Sequence, residues 1–192
     1  MRNAAEFYQN SIKGNKISPL LGTFFRLKLY DNQPEKTAID IGCGAGNDSI
    51  CLLNRGFKVI AIDNEPQVKE LIYNRTDDKE NLQIIIDDFS KLQLPKADLI
   101  LANNSIFFVK ENFDTTLKNI LRIINENGYF VGNFLGNEDD WKEEKTTMEK
   151  DEVLSYFTNF KIIYFSEEKY YKSTIEEKNK FWHVYNIIAK KK

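Results

Sequence analysis

Three glycines recur at every second position in the pattern Asp40-x-Gly42-x-Gly44-x-Gly46, at the end of the apolar run Thr37–Ile41. A strand that leads through a glycine turn into a helix lets a ligand approach the backbone closely, because glycine has no side chain and adopts positive φ readily. The free N–H groups of such a turn suit a carboxylate or a phosphate. The carboxylate of Asp40 could hold an ammonium group. The pattern therefore predicts a ligand-binding turn.

An acid closes the next apolar run. Asp63 ends the run Lys58–Asp63, 21 residues after Gly42, and Asn64 follows it. A carboxylate at this place can accept hydrogen bonds from both hydroxyls of a ribose. We therefore predict that Asp63 and Asn64 contact the ligand, although Asp63 could instead be a turn former at the strand end.

Two further runs end in polar residues. The run 82–87 leads into Asp87-Asp88-Phe89, and one of these acids can accept a hydrogen bond from an adenine amino group, although Asp87 could equally be a solvated partner. The run 97–103 ends at Asn103, which either contacts the ligand or forms a simple Asx turn.

His183 and Trp141 are candidates for the chemistry itself. His183 is the single histidine of the chain and shares one face of a predicted strand with Phe181 and Tyr185. It is either a hydrogen-bonded strand histidine or a pocket group that accepts a proton. Trp141 lies in a charged segment after the fifth predicted strand, where it forms a wall or lid of a substrate pocket or packs against the body of the protein.

Alternating strands and helices must position these residues. The chain from 37 to 135 alternates between apolar strand runs and amphipathic helices, which predicts a parallel, doubly wound sheet with helices on both faces. The predicted strands are 37–41, 58–63, 82–87, 97–103 and 128–135, and the predicted helices are 48–55, 66–75 and 113–124. Residues 3–30 are predicted to form one or two helices, with Ser18 as a possible N-cap.

The pattern changes after the fifth strand. A charged connection, 137–151, leads to a predicted helix, 150–159, and to two strands, 161–165 and 181–189. The polar stretch 166–180 between these strands is predicted to be a loop, so the two strands favour an antiparallel hairpin. We expect a single domain over 1–192, made of a helical cap (1–30), a cofactor-binding core (36–136) and a C-terminal helix and hairpin (137–192).

Composition limits the function classes. The chain has 192 residues, with 27 Lys and Arg against 29 Asp and Glu, for a net charge of −2. This balance argues against a dedicated nucleic-acid groove. Cys43 and Cys51 are expected to be reduced and structural. No signal peptide and no membrane-spanning run is evident, so we expect a cytoplasmic protein.

Together these motifs resemble those of class I S-adenosylmethionine (SAM) methyltransferases. A dinucleotide fingerprint would have its third glycine at position 47, where this chain has Asn47. The resemblance implies a Rossmann-like, seven-stranded sheet that is mostly parallel with an antiparallel C-terminal strand. It implies SAM as the cofactor, S-adenosylhomocysteine (SAH) as the product and no metal. It also implies roles for Asp88 and Phe89 at the adenine and for Asn103 near the methyl donor.

The nearest likeness is to small bacterial methyltransferases of the tellurite-resistance (TehB-like) type, carried by Asn47-Asp48-Ser49, by 132–141 and by 181–189. It implies a small-molecule acceptor. We also expect no nucleic-acid or membrane partner, and a monomer or homodimer. Two alternatives remain open: an NAD(P)-binding oxidoreductase and a SAM-binding protein without catalysis. Turnover would separate the last of these from an enzyme, because the binding motifs are the same.

Overall fold

The computed structural model describes residues 8, 12–14, 16–29, 36–174 and 177–192. Within these ranges all strands belong to one sheet, in the order β3-β2-β1-β4-β5-β8-β7, and the short strand β6 pairs with β5. The strands are β1 Thr37–Ile41, β2 Lys58–Asp63, β3 Leu82–Ile86, β4 Ala97–Ala102, β5 Ile124–Gly136, β6 Thr147–Met148, β7 Phe160–Lys172 and β8 Lys180–Lys191. The α-helices are α1 Pro19–Arg26, α2 Asn47–Leu53, α3 Val68–Tyr73, α4 Phe113–Arg122 and α5 Lys150–Ser155, and 3-10 helices follow β3 at Phe89–Lys91 and β4 at Ile106–Phe108.

The first five strands are parallel, as the alternation of strands and helices predicts. β1 and β4 are neighbours, while the chain continues from β1 to β2 on the other side, so the order of the sheet reverses between β1 and β4. Ligands of open α/β sheets bind at the carboxyl ends of the strands at such a reversal. The glycine turn, residues 42–46, leaves β1 at this point.

Alternating side chains of β1 enter different apolar clusters. Ile39 and Ile41 belong to a cluster that also contains Leu117 of α4, whereas Ala38 packs in a cluster with Leu52 of α2. Since successive strand residues point to opposite faces, the sheet carries an apolar core on each face. The Rossmann-like fold class predicted from the sequence is confirmed.

The C-terminal strands differ from the prediction in extent. β8 is antiparallel to both β5 and β7, so β8 alone runs against the other long strands. The prediction that 166–180 forms a loop is wrong for residues 166–172, which continue β7. These polar residues pair with β8 from Ser166↔Asn186 to Lys172↔Lys180. β7 is an edge strand, and its outer residues are solvated, so it needs no apolar pattern to pair.

Smaller differences lie at element ends and at the N-terminus. β5 begins at Ile124 rather than 128, and β6 is an eighth strand within the predicted charged connection. Ser18 caps α1 as predicted, because its Oγ accepts a hydrogen bond from the Leu21 N–H at 3.3 Å. Most of the predicted helical segment before residue 16 lies outside the described residues. No helix of the described chain is long and apolar enough to cross a membrane.

Candidate functional site

The three glycines of the turn all have positive φ: 69° at Gly42, 53° at Gly44 and 78° at Gly46. Two of them also lie against other elements. A Cβ on Gly42 would lie 2.4 Å from the Cβ of Ser105, and a Cβ on Gly46 would lie 2.4 Å from Cγ1 of Ile72. The turn therefore needs glycine for its backbone and for its packing against the ends of β4 and α3.

Asp63, at the end of β2, is tied to the glycine turn. Its Oδ2 accepts a hydrogen bond from the Gly44 N–H at 2.8 Å, and its Oδ1 accepts one from the Glu65 N–H at 3.1 Å. A carboxylate offers about four acceptor positions, so this side chain can still accept from two ligand hydroxyls. The carboxylate is thus already oriented beside the turn before any ligand binds.

Asp40 is more deeply buried than a residue that binds the ammonium group of a ligand needs to be. Its side chain is 3% exposed, and Ser49 of α2 donates a hydrogen bond from Oγ to Oδ2 at 2.6 Å. Burial, and then the neighbouring Asp48, raises the pKa of Asp40 to about 8. In this structure Asp40 therefore joins β1 to α2 and is not directed at an open cleft.

The N-terminal segment covers the turn. Tyr8 is buried with its Cε1 3.7 Å from the position of a Cβ on Gly44, and burial followed by Asp63 raises the pKa of the Tyr8 phenol. The Ser18 N–H donates to Oδ1 of Asp48 at 2.7 Å. From the sequence, Tyr8 could either close the N-terminal side of the site or pack in the core, and the structure buries it against the turn.

Arg75, which follows α3, holds the other side of the turn. It donates hydrogen bonds to the Ala45 carbonyl and to Oδ1 of Asn47, each at 2.6 Å. The residue that breaks the dinucleotide pattern, Asn47, is thereby engaged by an arginine. Sequence spacing alone did not suggest this contact.

The residues proposed for the adenine end lie at the carboxyl ends of β2 and β3. Asn64 is exposed, and Asp88 and Phe89 are half-buried. Asp88 caps the 3-10 helix, since its Oδ1 accepts from the Ser90 N–H at 3.0 Å and from the Ser90 hydroxyl at 2.7 Å. These hydrogen bonds, above all that from the hydroxyl, lower the pKa of Asp88, so it is an anionic acceptor at neutral pH.

The β4 loop, residues 103–105, contains a pair of amides that the sequence did not predict. Asn103 is half-buried. Asn104 has φ of 52°, and its N–H donates to Oδ1 of Asn133 on β5, while Nδ2 of Asn133 donates back to Oδ1 of Asn104, both at 2.8 Å. Ser105 follows, with a buried hydroxyl that has no hydrogen-bond partner within the ranges that the structure describes. The loop thus joins β4, β5 and the glycine turn.

Trp141 lies in the β5–β6 loop, residues 137–146, and is half-buried beside the carboxyl ends of β4 and β5. Its ring centroid is 6.4 Å from that of Phe108 and 5.2 Å from that of Trp182, and its Nε1–H donates to Oε1 of Glu177 at 2.7 Å. Phe108, on the 3-10 helix after β4, is 52% exposed. These aromatic rings form a wall of contacting side chains beside the carboxyl ends of β4 and β5.

A fully buried ion pair holds that wall. The ammonium of Lys180 contacts the carboxylate of Asp139, and both side chains are 0% exposed. Nζ of Lys180 also lies 3.8 Å from the ring centroid of Trp182 and 4.5 Å from that of Trp141. The pair therefore joins the start of β8 to the β5–β6 loop.

Both ring nitrogens of His183 are engaged. The Glu138 N–H donates to Nδ1 at 3.2 Å, and Nε2 lies 3.0 Å from Oε1 of Glu167 on β7. Because a backbone N–H can only donate, the neutral ring carries its proton on Nε2 and donates it to Glu167. His183 is 3% exposed, so this geometry favours a role in joining β7, β8 and the β5–β6 loop.

The Rossmann-like sheet and the glycine turn at its reversal define a nucleotide-cofactor-binding α/β domain, and comparisons with known proteins narrow this class. Residues 39–132 match the family model described as "Methyltransferase domain". Over 70 residues, or 36% of this chain, the sequence is 36% identical to the probable ribosomal RNA small subunit methyltransferase A of Methanosarcina mazei. That match covers 26% of the relative, so the chain spans about a quarter of its length.

Solved structures match over much more of the chain. TehB from Haemophilus influenzae superposes with a TM-score of 0.75 at 21% identity, over 95% of this chain and 65% of TehB. The 1,6-didemethyltoxoflavin-N1-methyltransferase of Burkholderia thailandensis, solved with 1,6-didemethyltoxoflavin and SAH bound, superposes with a TM-score of 0.66 at 16% identity, over 98% and 86% of the two chains. The chain therefore carries a methyltransferase domain over residues 39–132, its fold is similar to that of TehB, and SAM is the cofactor that its motifs predict.

Proposed function

We propose that this protein transfers the methyl group of SAM to a small-molecule acceptor. The observation that carries the proposal is the grouping of three elements at the carboxyl ends of β1, β2 and β4. These are a glycine turn with three positive φ angles, the buried acid Asp63 bonded to that turn, and the unpartnered hydroxyl of Ser105 beside it. The three glycines have no side chains, so a large ligand can approach the backbone of the turn closely. Asp63 and Ser105 can then hydrogen-bond to the hydroxyl groups and the charged end of that ligand.

The cofactor follows the sheet edge in this proposal. Asp63, with Asn64 beside it, receives the ribose hydroxyls, because its two carboxylate oxygens keep free acceptor positions. Asp88 and Phe89 receive the adenine. Asn103 lies next to the methyl donor at the end of β4. The glycine turn receives the methionine end. Asp40 does not contact the ligand directly but supports the turn through its hydrogen bond with Ser49 of α2.

Bound SAM supplies a methyl group on a sulfonium, which is already a good leaving group. The task of the protein is then to align the acceptor with that methyl group and to exclude water. Trp141 and Phe108 are placed to form the acceptor wall, held by the Lys180–Asp139 pair. A general base is required only where the acceptor must lose a proton. His183 has both nitrogens engaged, so we assign it a structural role in this reaction.

Cofactor binding is tested by thermal shift with SAM, SAH, NAD and NADP in parallel. A ligand at 100 times its Kd adds about 2.7 kcal/mol, or roughly 5–10 °C for a domain of this size. We expect a shift with SAM and SAH alone. A shift with a dinucleotide alone would favour the oxidoreductase alternative.

The ribose contact is tested by Asp63→Ala, with Asp87→Ala as the matched control. Asp87 is an exposed acid at the end of the neighbouring strand. We expect Asp63→Ala to weaken SAH binding by about 1–3 kcal/mol, the scale of hydrogen bonds to a charged group. Asp87→Ala should leave the Kd unchanged. Equal Kd values for the two variants would remove Asp63 from the site.

A ribosomal RNA acceptor is the second candidate, because a curated relative at 36% identity is named as a ribosomal RNA methyltransferase. That match covers only 36% of the chain, whereas the structure solved with a small bound acceptor superposes on 98% of it. The net charge of −2 also favours a small molecule.

Methyl-labelled SAM separates the two candidates and also detects a protein without turnover. The protein is incubated with labelled SAM and either ribosomal RNA or a metabolite extract. We expect label in low-mass products. Label in precipitated RNA would overturn the small-molecule proposal, and SAH binding without label transfer to either would favour the non-catalytic alternative.

A further inference from the structure

Ser105 carries a buried hydroxyl without a hydrogen-bond partner in the described part of the chain. The residue is 5% exposed. It precedes the 3-10 helix Ile106–Phe108, a place where a serine side chain ordinarily accepts an N–H of the helix, yet it makes no such bond. Because buried hydroxyls are nearly always paired, this hydroxyl is available to hydrogen-bond with a ligand at the glycine turn.

The hydroxyl lies at the glycine turn. Oγ of Ser105 is 3.4 Å from the position that a Cβ would take on Gly42. In the proposed function, this turn receives the methionine end of SAM, which has both a carboxylate and an ammonium. A serine hydroxyl can donate to the first and accept from the second. The methionine end is therefore the part of the cofactor that fits this side chain.

The amide pair behind Ser105 holds the β4 loop in one orientation. Oδ1 of Asn133 must face the Asn104 N–H, since that backbone group can only donate. Nδ2 of Asn133 then requires Oδ1 of Asn104, which settles the orientation of both amides. Asn133 is 5% exposed in the middle of β5, and Asn104 is held at φ of 52°. The residue that follows, Ser105, is placed by this strained backbone.

We propose that Ser105 binds the methionine end of SAM through its hydroxyl, and that Asn133 is a positioning residue that sets Ser105 through Asn104. This inference rests on the proposed function. It assigns the cofactor a contact outside the glycine turn, and it gives a reason for a buried asparagine next to Phe134 in the apolar part of β5.

The experiment compares two ligands by calorimetry. SAH contains the amino-acid end, whereas 5′-methylthioadenosine has the same adenine and ribose without it. We expect Ser105→Ala to weaken SAH binding by about tenfold or more and to leave the Kd of methylthioadenosine unchanged. The melting temperature of the free protein should stay the same or rise, because the lost hydroxyl had no partner.

Variants of Asn133 test the positioning role. Asn133→Leu should show the same selective loss for SAH. Asn133→Asp should keep SAH affinity, because a carboxylate can accept from the Asn104 N–H and from its amino group after a flip of that amide. Asn186→Leu is the matched control, since Asn186 pairs with Asn133 on the adjacent strand but bonds to Ser166 and Glu168 instead.

The outcomes distinguish the two proposals. Unchanged SAH affinity in Ser105→Ala, or equal weakening for both ligands, would overturn this inference while the proposed function stands. A lower melting temperature with unchanged SAH affinity would assign Ser105 a structural role. Failure of the unmodified protein to bind either ligand would overturn the proposed function and this inference with it.

Discussion

Replacing Gly42 by alanine measures how closely the glycine turn packs against the β4 loop. Gly42 has φ of 69°, and the added Cβ would lie 2.4 Å from the Cβ of Ser105. A non-glycine residue in the left-handed region costs about 1–2 kcal/mol. Overpacking of a buried contact costs about 1–3 kcal/mol more. We therefore expect the free energy of unfolding to fall by about 2–5 kcal/mol.

Gly56→Ala separates the two contributions. Gly56 has φ of 80°, but no atom of the described part of the chain lies within 4 Å of the position that its Cβ would take. This variant should lose only the backbone share, about 1–2 kcal/mol. Urea unfolding followed by circular dichroism gives both values, and their difference is the energy of the contact with Ser105.

A second substitution tests the cause directly. Ser105→Gly removes the atom that the new Cβ would meet, so adding it to Gly42→Ala should recover about 1–3 kcal/mol relative to the sum of the single losses. Equal losses in Gly42→Ala and Gly56→Ala, or strict additivity in the double variant, would refute the packing of Ser105 on the turn.

Three further predictions concern buried charges and His183. Burial raises the pKa of Asp40 to about 8, far above its value near 3.9 in an unfolded chain, so its contribution to the free energy of unfolding is full below about pH 4 and is lost as the pH rises to about 8. The variant Asp40→Asn should therefore show a smaller fall in the free energy of unfolding in urea between pH 5 and pH 8. An unchanged fall would contradict this. Lys180→Met leaves Asp139 as an unpaired buried charge and should cost about 3–5 kcal/mol in urea unfolding, whereas Lys169→Met, in an exposed ion pair, should change little; similar losses would refute the difference. His183→Ala should lower the free energy of unfolding by about 2 kcal/mol through lost hydrogen bonds and leave the SAH Kd unchanged in calorimetry, while a weaker Kd would place it at the cofactor.

The cofactor-binding half of the fold could be predicted from the sequence, because it depends on interactions between neighbouring residues. β1 and β2 begin and end at the predicted residues, because each is a short apolar run closed by a glycine turn or an acid. The spacing of Gly42, Gly44 and Gly46 predicted a turn with a left-handed backbone, and all three have positive φ. These properties depend on neighbouring residues alone.

The length of the strands in the C-terminal hairpin could not be predicted in this way. Residues 166–172 are mostly polar and carry no strand pattern, yet they pair with residues 180–186 of β8. Their strand conformation is stabilised by cross-strand contacts, such as the stacking of Tyr170 on Trp182 with ring centroids 6.4 Å apart. Such contacts exist only once the two strands have met.

By itself the sequence determined the strand, turn and helix order, the class of domain and the acids at the strand ends, because these follow from periodicity, glycine and the chemistry of side chains. The tertiary structure decided which groups are free. Asp40 is bonded to Ser49, and His183 lies between Glu138 and Glu167, whereas the Ser105 hydroxyl has no hydrogen-bond partner among the described residues. Hydrogen-bond satisfaction depends on residues brought together from distant parts of the chain, and no local pattern records it.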